Sequence, residues 1–326
     1  MAAGGGVHHR LQAGLNRPMT TGEGARGEAS GKVILLGEHA VVHGVPAIAV
    51  GIPGGATACV REAIDGGSRL QVHGPPPGPS ERELQDMQRG WEAIVESCGS
   101  PAPLRGVVEL RIPPRAGLGS SAAMAVALCR AVHAHIGSAP DTTRLVRDAS
   151  AWERVFHGNP SGIDVAAAVL GGAIRFDRAS GARSLPIGCA LPLCIGVSGR
   201  RAPTRTMVEL FAGQLQERGA RAAQVLESFG ELVERAERAL SDGDLEALGA
   251  AMNGNQGLLA SMGVSTDALD ALCEEARAVG ALGAKLSGAG GGGSVIALAP
   301  GCEAEVLRVW RRRGVEAMAV TVGPGR

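Results

Sequence analysis

The chain has no tyrosine, and its aromatic residues are only four phenylalanines and three tryptophans in 326 positions. A close-packed core must therefore be built from Ala, Val, Leu and Ile. Net charge is missing too, because 32 Lys and Arg face 32 Asp and Glu. A protein that grips nucleic-acid phosphates regardless of sequence carries a basic excess, so no nucleic-acid partner is expected. No apolar run approaches the roughly 18–20 residues of a membrane helix. The best run, Ala122 to Leu128, is far shorter, and no membrane association is expected. The seven cysteines (Cys59, Cys98, Cys129, Cys189, Cys194, Cys273 and Cys302) are odd in number and include no CxxC pair. With no secretory h-region at the start, reduced thiols and a cytoplasmic location are expected. A zinc site is not expected, for want of ligand spacing. The GxxxxGK[ST] loop occurs nowhere. The dinucleotide glycine pattern lacks the acidic residue it needs about 20 positions on. Lysine is nearly absent: Lys32 and Lys285 stand among 30 arginines. Places that retain a compact ammonium therefore stand out.

Glycine is abundant. Its 50 residues are about twice the ordinary usage of roughly 7%, without the three-residue period of collagen. Residues 1–28 carry Gly4 to Gly6, His8, His9 and scattered arginine, and read as a flexible leader. Short apolar runs at Val33–Leu36 and Val45–Val50 read as strands separated by Gly37 and the His43-Gly44 turn. Glu81 to Cys98 places Leu84, Met87, Trp91, Ile94 and Val95 on one helical face. Val107–Ile112 alternates as a strand and stops at Pro113-Pro114. Helices are expected over Ala122–Ile136, Thr142–Phe156 and Ile163–Val169, with a turn at His157–Gly162. Pro192–Val197 reads as a strand and Ser198–Pro203 as a polar loop, and residues 204–280 read as mostly helical. A second glycine loop spans Lys285–Gly293, followed by strand Val295–Leu298, helix Glu303–Arg312 and strand Met318–Val322. The mixture predicts an α+β chain in two domains divided near residue 200.

Chemistry concentrates in the first glycine loop, Gly117-Leu118-Gly119-Ser120-Ser121, between a strand and a long helix. Glycines let backbone approach a ligand closely, and N–H groups at a helix N-terminus cradle phosphate. The hydroxyls of Ser120 and Ser121 could reach a phosphate or its Mg²⁺, while Ser120 could equally serve as a helix cap.

Four segments in order resemble the motifs of the GHMP kinase superfamily. Gly31 to Gly44 (GKVILLGEHAVVHG) resembles the first motif in the form found in mevalonate kinases. Pro113 to Ala123 (PPRAGLGSSAA) resembles the second, His157 to Asp164 (HGNPSGID) the catalytic segment, and Lys285 to Gly293 (KLSGAGGGG) the third. Together they cover residues 29–322. The resemblance implies an N-terminal α/β layer domain over residues 29–200, holding the glycine-rich phosphate loop. It also implies a ferredoxin-like α+β C-terminal domain over residues 201–326, with the site between the two. It implies an ATP-dependent kinase that phosphorylates the C5 hydroxyl of (R)-mevalonate, with Mg²⁺ as cofactor. Dimers are common among such relatives, so a homodimer is allowed.

By the same resemblance, Asp164 matches the catalytic aspartate. A carboxylate within reach of the attacking hydroxyl can take its proton, although an Asp after Ser-Gly also commonly ties a turn. Lys32 matches the lysine beside it, where a cation stabilises negative charge on the transferring phosphoryl group. Glu153 and Ser121 match the Mg²⁺ ligands, a hard-oxygen pair suited to that ion. Pro114, Ala116, Gly117, Leu118, Gly119, Ser120, Ser121, Gly290 and Gly291 match positions around the ATP phosphates. Glu38, His39, Asp164 and Thr204 match positions around the acceptor. Lys285 belongs to the third motif without a catalytic assignment. Three places depart from the pattern. Val165 stands where Asn is usual, Arg115 where Gly is common, and Arg200 to Pro203 do not align with a basic residue often found there. The alternatives are a kinase for another small acceptor, such as phosphomevalonate or homoserine, or a non-catalytic ligand sensor. A sensor would have lost Lys32, Glu153 or Asp164, and all three are present.

Overall fold

Strand β1 (Ala25–Leu36) runs antiparallel to β2 (Ala47–Glu62), and this long pair is the spine of the first sheet. The computed structural model describes residues 24–64, 66–75, 78–157, 162–199 and 202–323. β2 is long enough to take different partners at its two ends. Its start pairs with β5 (Ala173–Asp177), and its end pairs with β4 (Leu104–Leu110). β3 (Arg69–His73) adds in parallel beyond β4, and β6 (Gly181–Leu185) adds beyond β5.

Four helices cover one face of this sheet: α1 (Glu81–Cys98), α2 (Ser120–His135), α3 (Thr142–His157) and α4 (Ile163–Leu170). α2 is apolar nearly all round and lies at the centre of the layer. Its Ala, Val and Leu side chains, down to Leu128 and Val132, are almost all buried, with Trp91 from α1 and Trp152 from α3 filling the space around them. α1 begins on a reciprocal cap between Ser80 and Glu83 and ends on left-handed Gly99, which satisfies orphan backbone groups at both ends.

The second sheet holds β7 (Leu191–Val197), β8 (Gly283–Ser287), β9 (Ser294–Leu298) and β10 (Glu316–Val322) in the order β10-β7-β9-β8, all antiparallel. Helices α5 (Thr204–Arg218), α6 (Ala222–Asp242), α7 (Leu245–Ser261) and α8 (Asp267–Ala278) connect β7 to β8, and α9 (Glu303–Arg312) connects β9 to β10. Numbered within this half, the order is 4-1-3-2, that of a ferredoxin-like split βαβ unit. The two halves share a core. Val33 and Ile52 from the first sheet cluster with Ile195 and Ile296 from the second and Met252 from α7.

Some elements differ from expectation. The expected leader included residues 25–28, but these begin β1 by pairing with residues 57–60 of β2; residues 1–23 lie outside the described residues. The second strand runs to Glu62 rather than stopping at Val50, because the Gly and Pro residues that break its apolar pattern sit at an irregularity in its pairing with β1, between Ile52 and Ala56, and the strand continues past them. Strands β3, β5 and β6 were not expected, since each is short and polar on one side. Lys285 to Ser287, read as part of a glycine loop, belong to β8. The chain changes sheets between β6 and β7, ahead of the division expected near residue 200. No helix of the described residues is long and apolar enough to cross a membrane.

Candidate active site

The phosphate-loop backbone is docked onto β1 by a 2.8 Å hydrogen bond from the Lys32 N–H to the Leu118 carbonyl. Ala116 and Leu118 point into the shared core, and the Ser294 hydroxyl from the second sheet donates to the Ala116 carbonyl. Gly119 caps α2 with φ +73° and makes no side-chain cap bond. A Cβ at Gly119 would come within 2.8 Å of Lys32 Cγ, so left-handed backbone and close approach both require glycine. Ser120 is the first helical residue and not the cap, so the capping alternative fails and its hydroxyl remains beside the loop.

Lys32 and Asp164 meet where this loop faces α4. Their charged groups are 3.1 Å apart; the lysine side chain is 6% exposed and the aspartate 40%. Asp164 lies in the first turn of α4 behind Gly162, where the helix dipole favours a carboxylate. Across the loop, the Ser121 hydroxyl donates to Glu153 Oε1 at 2.8 Å and accepts from Trp152 Nε1 at 3.0 Å. Asp164, Ser121, Trp152 and Glu153 border one cavity of about 320 Å³, with Gly117, Gly119 and Ser120 on its polar side and Met87, Met124 and Phe156 on its apolar side; Lys32 stands behind Asp164. The hydroxyl of Ser121 and the carboxylate of Glu153 are hard oxygen donors directed to the same place, and they suit Mg²⁺. Gly158 to Ser161 of the catalytic segment, and Arg200 and Arg201, lie outside the described residues.

Arg115 explains one departure from the family pattern. It occupies left-handed backbone with φ +59°, a conformation that glycine adopts without cost and that costs other residues roughly 1–2 kcal/mol. Its guanidinium pairs with Glu83 of α1, so the phosphate loop is tied to the helix cap. Those bonds, led by the ones from Ser80, hold the Glu83 carboxyl down to about 2. Val165 bears on another, since its side chain on α4 is buried in the core of the helical layer.

The acceptor-side residues are placed differently from one another. Glu38 is 2% exposed and is fully engaged. It forms an ion pair with Lys285 of β8 and accepts from Asn255 Nδ2 of α7 at 3.2 Å. The Asn255 carbonyl in turn accepts from the Gly37 N–H. Burial pushes the Lys285 ammonium below its ordinary value, opposed by Glu38. His39 has φ +61°, stacks on Phe211 at 5.1 Å, and donates from Nε2 to the Ala289 carbonyl at 2.8 Å. Burial lowers its pKa, and its Nδ1 is buried with no hydrogen-bond partner. Thr204 opens α5 on an exposed turn. Gly290 and Gly291 do not border the cavity. Gly290 packs on the Val264 carbonyl, and Gly291 lies against Met207 and Ala202. Sequence reasoning gave no role to Asn255, Ser287 or Trp152. Only Lys285 left a trace, as one of two lysines.

Residues 87–172 match the family model of the GHMP kinases N terminal domain, and residues 222–316 match that of the GHMP kinases C terminal. The chain is 36% identical over 285 residues to a mevalonate kinase of Aeropyrum pernix, covering 84% of this chain and 88% of that protein. The chain belongs to the GHMP kinases, within their mevalonate kinase family. It is also 35% identical over 289 residues to a mevalonate kinase of Methanothermobacter thermautotrophicus, covering 87% of this chain and 93% of the relative. Among solved structures, that of the L. major mevalonate kinase in complex with R-mevalonate superposes with a TM-score of 0.84 at 28% identity, covering 95% of this chain and 99% of that one. A galactokinase from Lactococcus lactis, complexed with galactose, shares the fold at 19% identity and a TM-score of 0.72.

Proposed function

We propose that this enzyme transfers the γ-phosphoryl group of ATP to the C5 hydroxyl of (R)-mevalonate, giving 5-phosphomevalonate. The observation that carries the chemistry is the Lys32–Asp164 pair, 3.1 Å apart at the rim of the phosphate loop. The acceptor assignment rests on the mevalonate kinases that the chain resembles over most of its length.

In this reading the triphosphate lies along Gly117 to Ser121, against the N-terminal N–H groups of α2. The adenine takes the apolar side of the cavity, between Met87 and Phe156. The half-exposed carboxylate of Asp164 accepts the proton of the attacking hydroxyl. The ammonium of Lys32 faces the phosphoryl group in flight and stabilises the charge spread over its oxygens. Ser121 and Glu153 would hold Mg²⁺, which would neutralise phosphate charge when bound. His39, neutral because it is buried, offers its unpartnered Nδ1 to the acceptor, and Glu38 fixes the turn that carries it.

The test is ADP release with ATP and Mg²⁺ over mevalonate, 5-phosphomevalonate, homoserine and galactose. Turnover confined to mevalonate is expected. Turnover with another acceptor alone would move the substrate assignment and leave the phosphoryl chemistry standing. ATP binding without turnover on any acceptor would refute the reading in favour of a sensor.

A further inference from the structure

Of the three tryptophans, only Trp152 turns its polar atom to the candidate site. Trp91 donates from Nε1 to the Leu104 carbonyl at 3.3 Å, and Trp310 donates to the Leu272 carbonyl at 2.9 Å. Neither borders the phosphate-loop cavity. Each settles an indole N–H inside the core, as a buried tryptophan requires. Trp152 borders the cavity and donates instead to a side chain, the Ser121 hydroxyl, at 3.0 Å.

The indole is held by its surroundings. It is fully buried in the core of the helical layer. α1 meets the ring at Gly90, where an added Cβ would stand 2.6 Å from Trp152 Cε3. Glycine inside a helix is unfavourable, and here its bare backbone makes room for the ring. Phe156 packs against the indole as well, with ring centroids 5.3 Å apart. A ring wedged in this way cannot swing its N–H elsewhere. The constraint passes to Ser121. A serine hydroxyl has one hydrogen and two lone pairs, and it rotates to suit its neighbours. In a helix it can also turn back to a backbone carbonyl of the preceding turn. The Trp152 N–H occupies one lone pair and bars the hydroxyl hydrogen from that side. The hydrogen goes to Glu153 Oε1 at 2.8 Å. One lone pair remains, on a residue that borders the cavity.

We propose that Trp152 is a positioning residue for the metal and phosphate end of the site: its N–H holds the Ser121 hydroxyl so that the hydrogen goes to Glu153 and an oxygen lone pair is left for Mg²⁺. The proposal rests on the reading of Ser121 and Glu153 as the residues that would hold Mg²⁺. Local sequence does not announce it, because Trp152 lies on α3 and Ser121 on α2. An outer group that orients a ligand atom in advance strengthens metal binding without touching the metal. Without the indole donor the hydroxyl rotates freely, and its ordering is charged against each binding event.

The test is calorimetric binding of the non-hydrolysable nucleotide AMPPNP to the full chain, with and without Mg²⁺. The quantity read is the gain in affinity that Mg²⁺ brings. Trp152→Phe should reduce this gain roughly tenfold, while affinity without Mg²⁺ stays close to that of wild type. Ser121→Ala should reduce the gain at least as much. The double variant should be no worse than Ser121→Ala alone, because Trp152 acts through that hydroxyl. Trp310→Phe should leave the gain at its wild-type value. If Trp152→Phe does not fold, adding Gly90→Ala refills the space beside the smaller ring, and the same comparison applies. A wild-type gain in Trp152→Phe, with Ser121→Ala impaired, would overturn the proposal alone. So would a double variant that shows the full product of the two single losses, the mark of a packing role. A wild-type gain in Ser121→Ala would remove the metal reading of Ser121, and the proposal with it.

Discussion

At the scale of single residues, the proposed reaction draws on two charges from distant parts of the chain, Lys32 and Asp164, which the fold brings to 3.1 Å. Asp164→Asn keeps the shape of the site and removes the proposed proton acceptor. It is expected to lower kcat roughly 10²–10⁴-fold while ATP affinity, measured by calorimetry, stays within a few-fold of wild type. A near-normal kcat would remove Asp164 from its role. His39 bears on pH. Burial depresses its pKa from 6.5, so the unfolded chain binds a proton more readily than the folded one. The corresponding stability is present above about pH 6.5 and is lost as pH falls through the lower folded value. Denaturant midpoints between pH 7.5 and 5 are expected to decline less steeply in His39→Gln than in wild type. Arg115 is a residue whose backbone and side chain conflict, with strain at φ +59° set against the bond to Glu83.

At the scale of elements, the cap on α1 is the clearest local device. Ser80→Ala removes the side-chain acceptor for the Glu83 N–H and is expected to cost about 1 kcal/mol at neutral pH by urea denaturation. Glu83 titrates near 2 against an ordinary 4.5, so its share is present above pH 4.5 and disappears as pH falls towards 2. The cost of Ser80→Ala should shrink over that window, modestly, because the group is near solvent. α1 and α9 were legible to the residue, since both carry a 3.6-residue period and α1 is also bounded by capping groups. β3, β5 and β6 were not, because five polar-edged residues carry no period that separates a strand from a loop. The site was legible in the same uneven way. Lys32, Ser121, Glu153 and Asp164 sit in or beside dense local motifs, and they come together. Gly290 and Gly291 share such a motif, yet they lie against Val264 and Met207 and do not border the cavity. Asn255 has no motif, and only the fold shows that it ties Glu38 and Gly37 to α7.

At the scale of the molecule, the Glu38–Lys285 pair joins the first sheet to the second at nearly complete burial. Lys285→Met would leave the Glu38 carboxylate uncompensated, at an expected cost of about 3–5 kcal/mol by chemical denaturation. Adding Glu38→Gln should recover a good part of that loss, and if the double variant is no better than the single one, the pairing is not the cause. Ser287 reinforces the same seam, accepting from the Ile34 N–H at 2.9 Å and donating to its carbonyl at 3.2 Å. Because both sheets contribute to one core, calorimetry should show a single unfolding transition rather than two.

That shared core also bears on how such an enzyme can change over generations. A half expressed alone would bare Val33 and Ile52, or Ile195 and Met252, to water. Neither half can therefore be traded for a foreign one as a finished module. Descendants with a new acceptor must be reached by replacing individual side chains and reshaping surface loops, with the seam between the sheets preserved at each step.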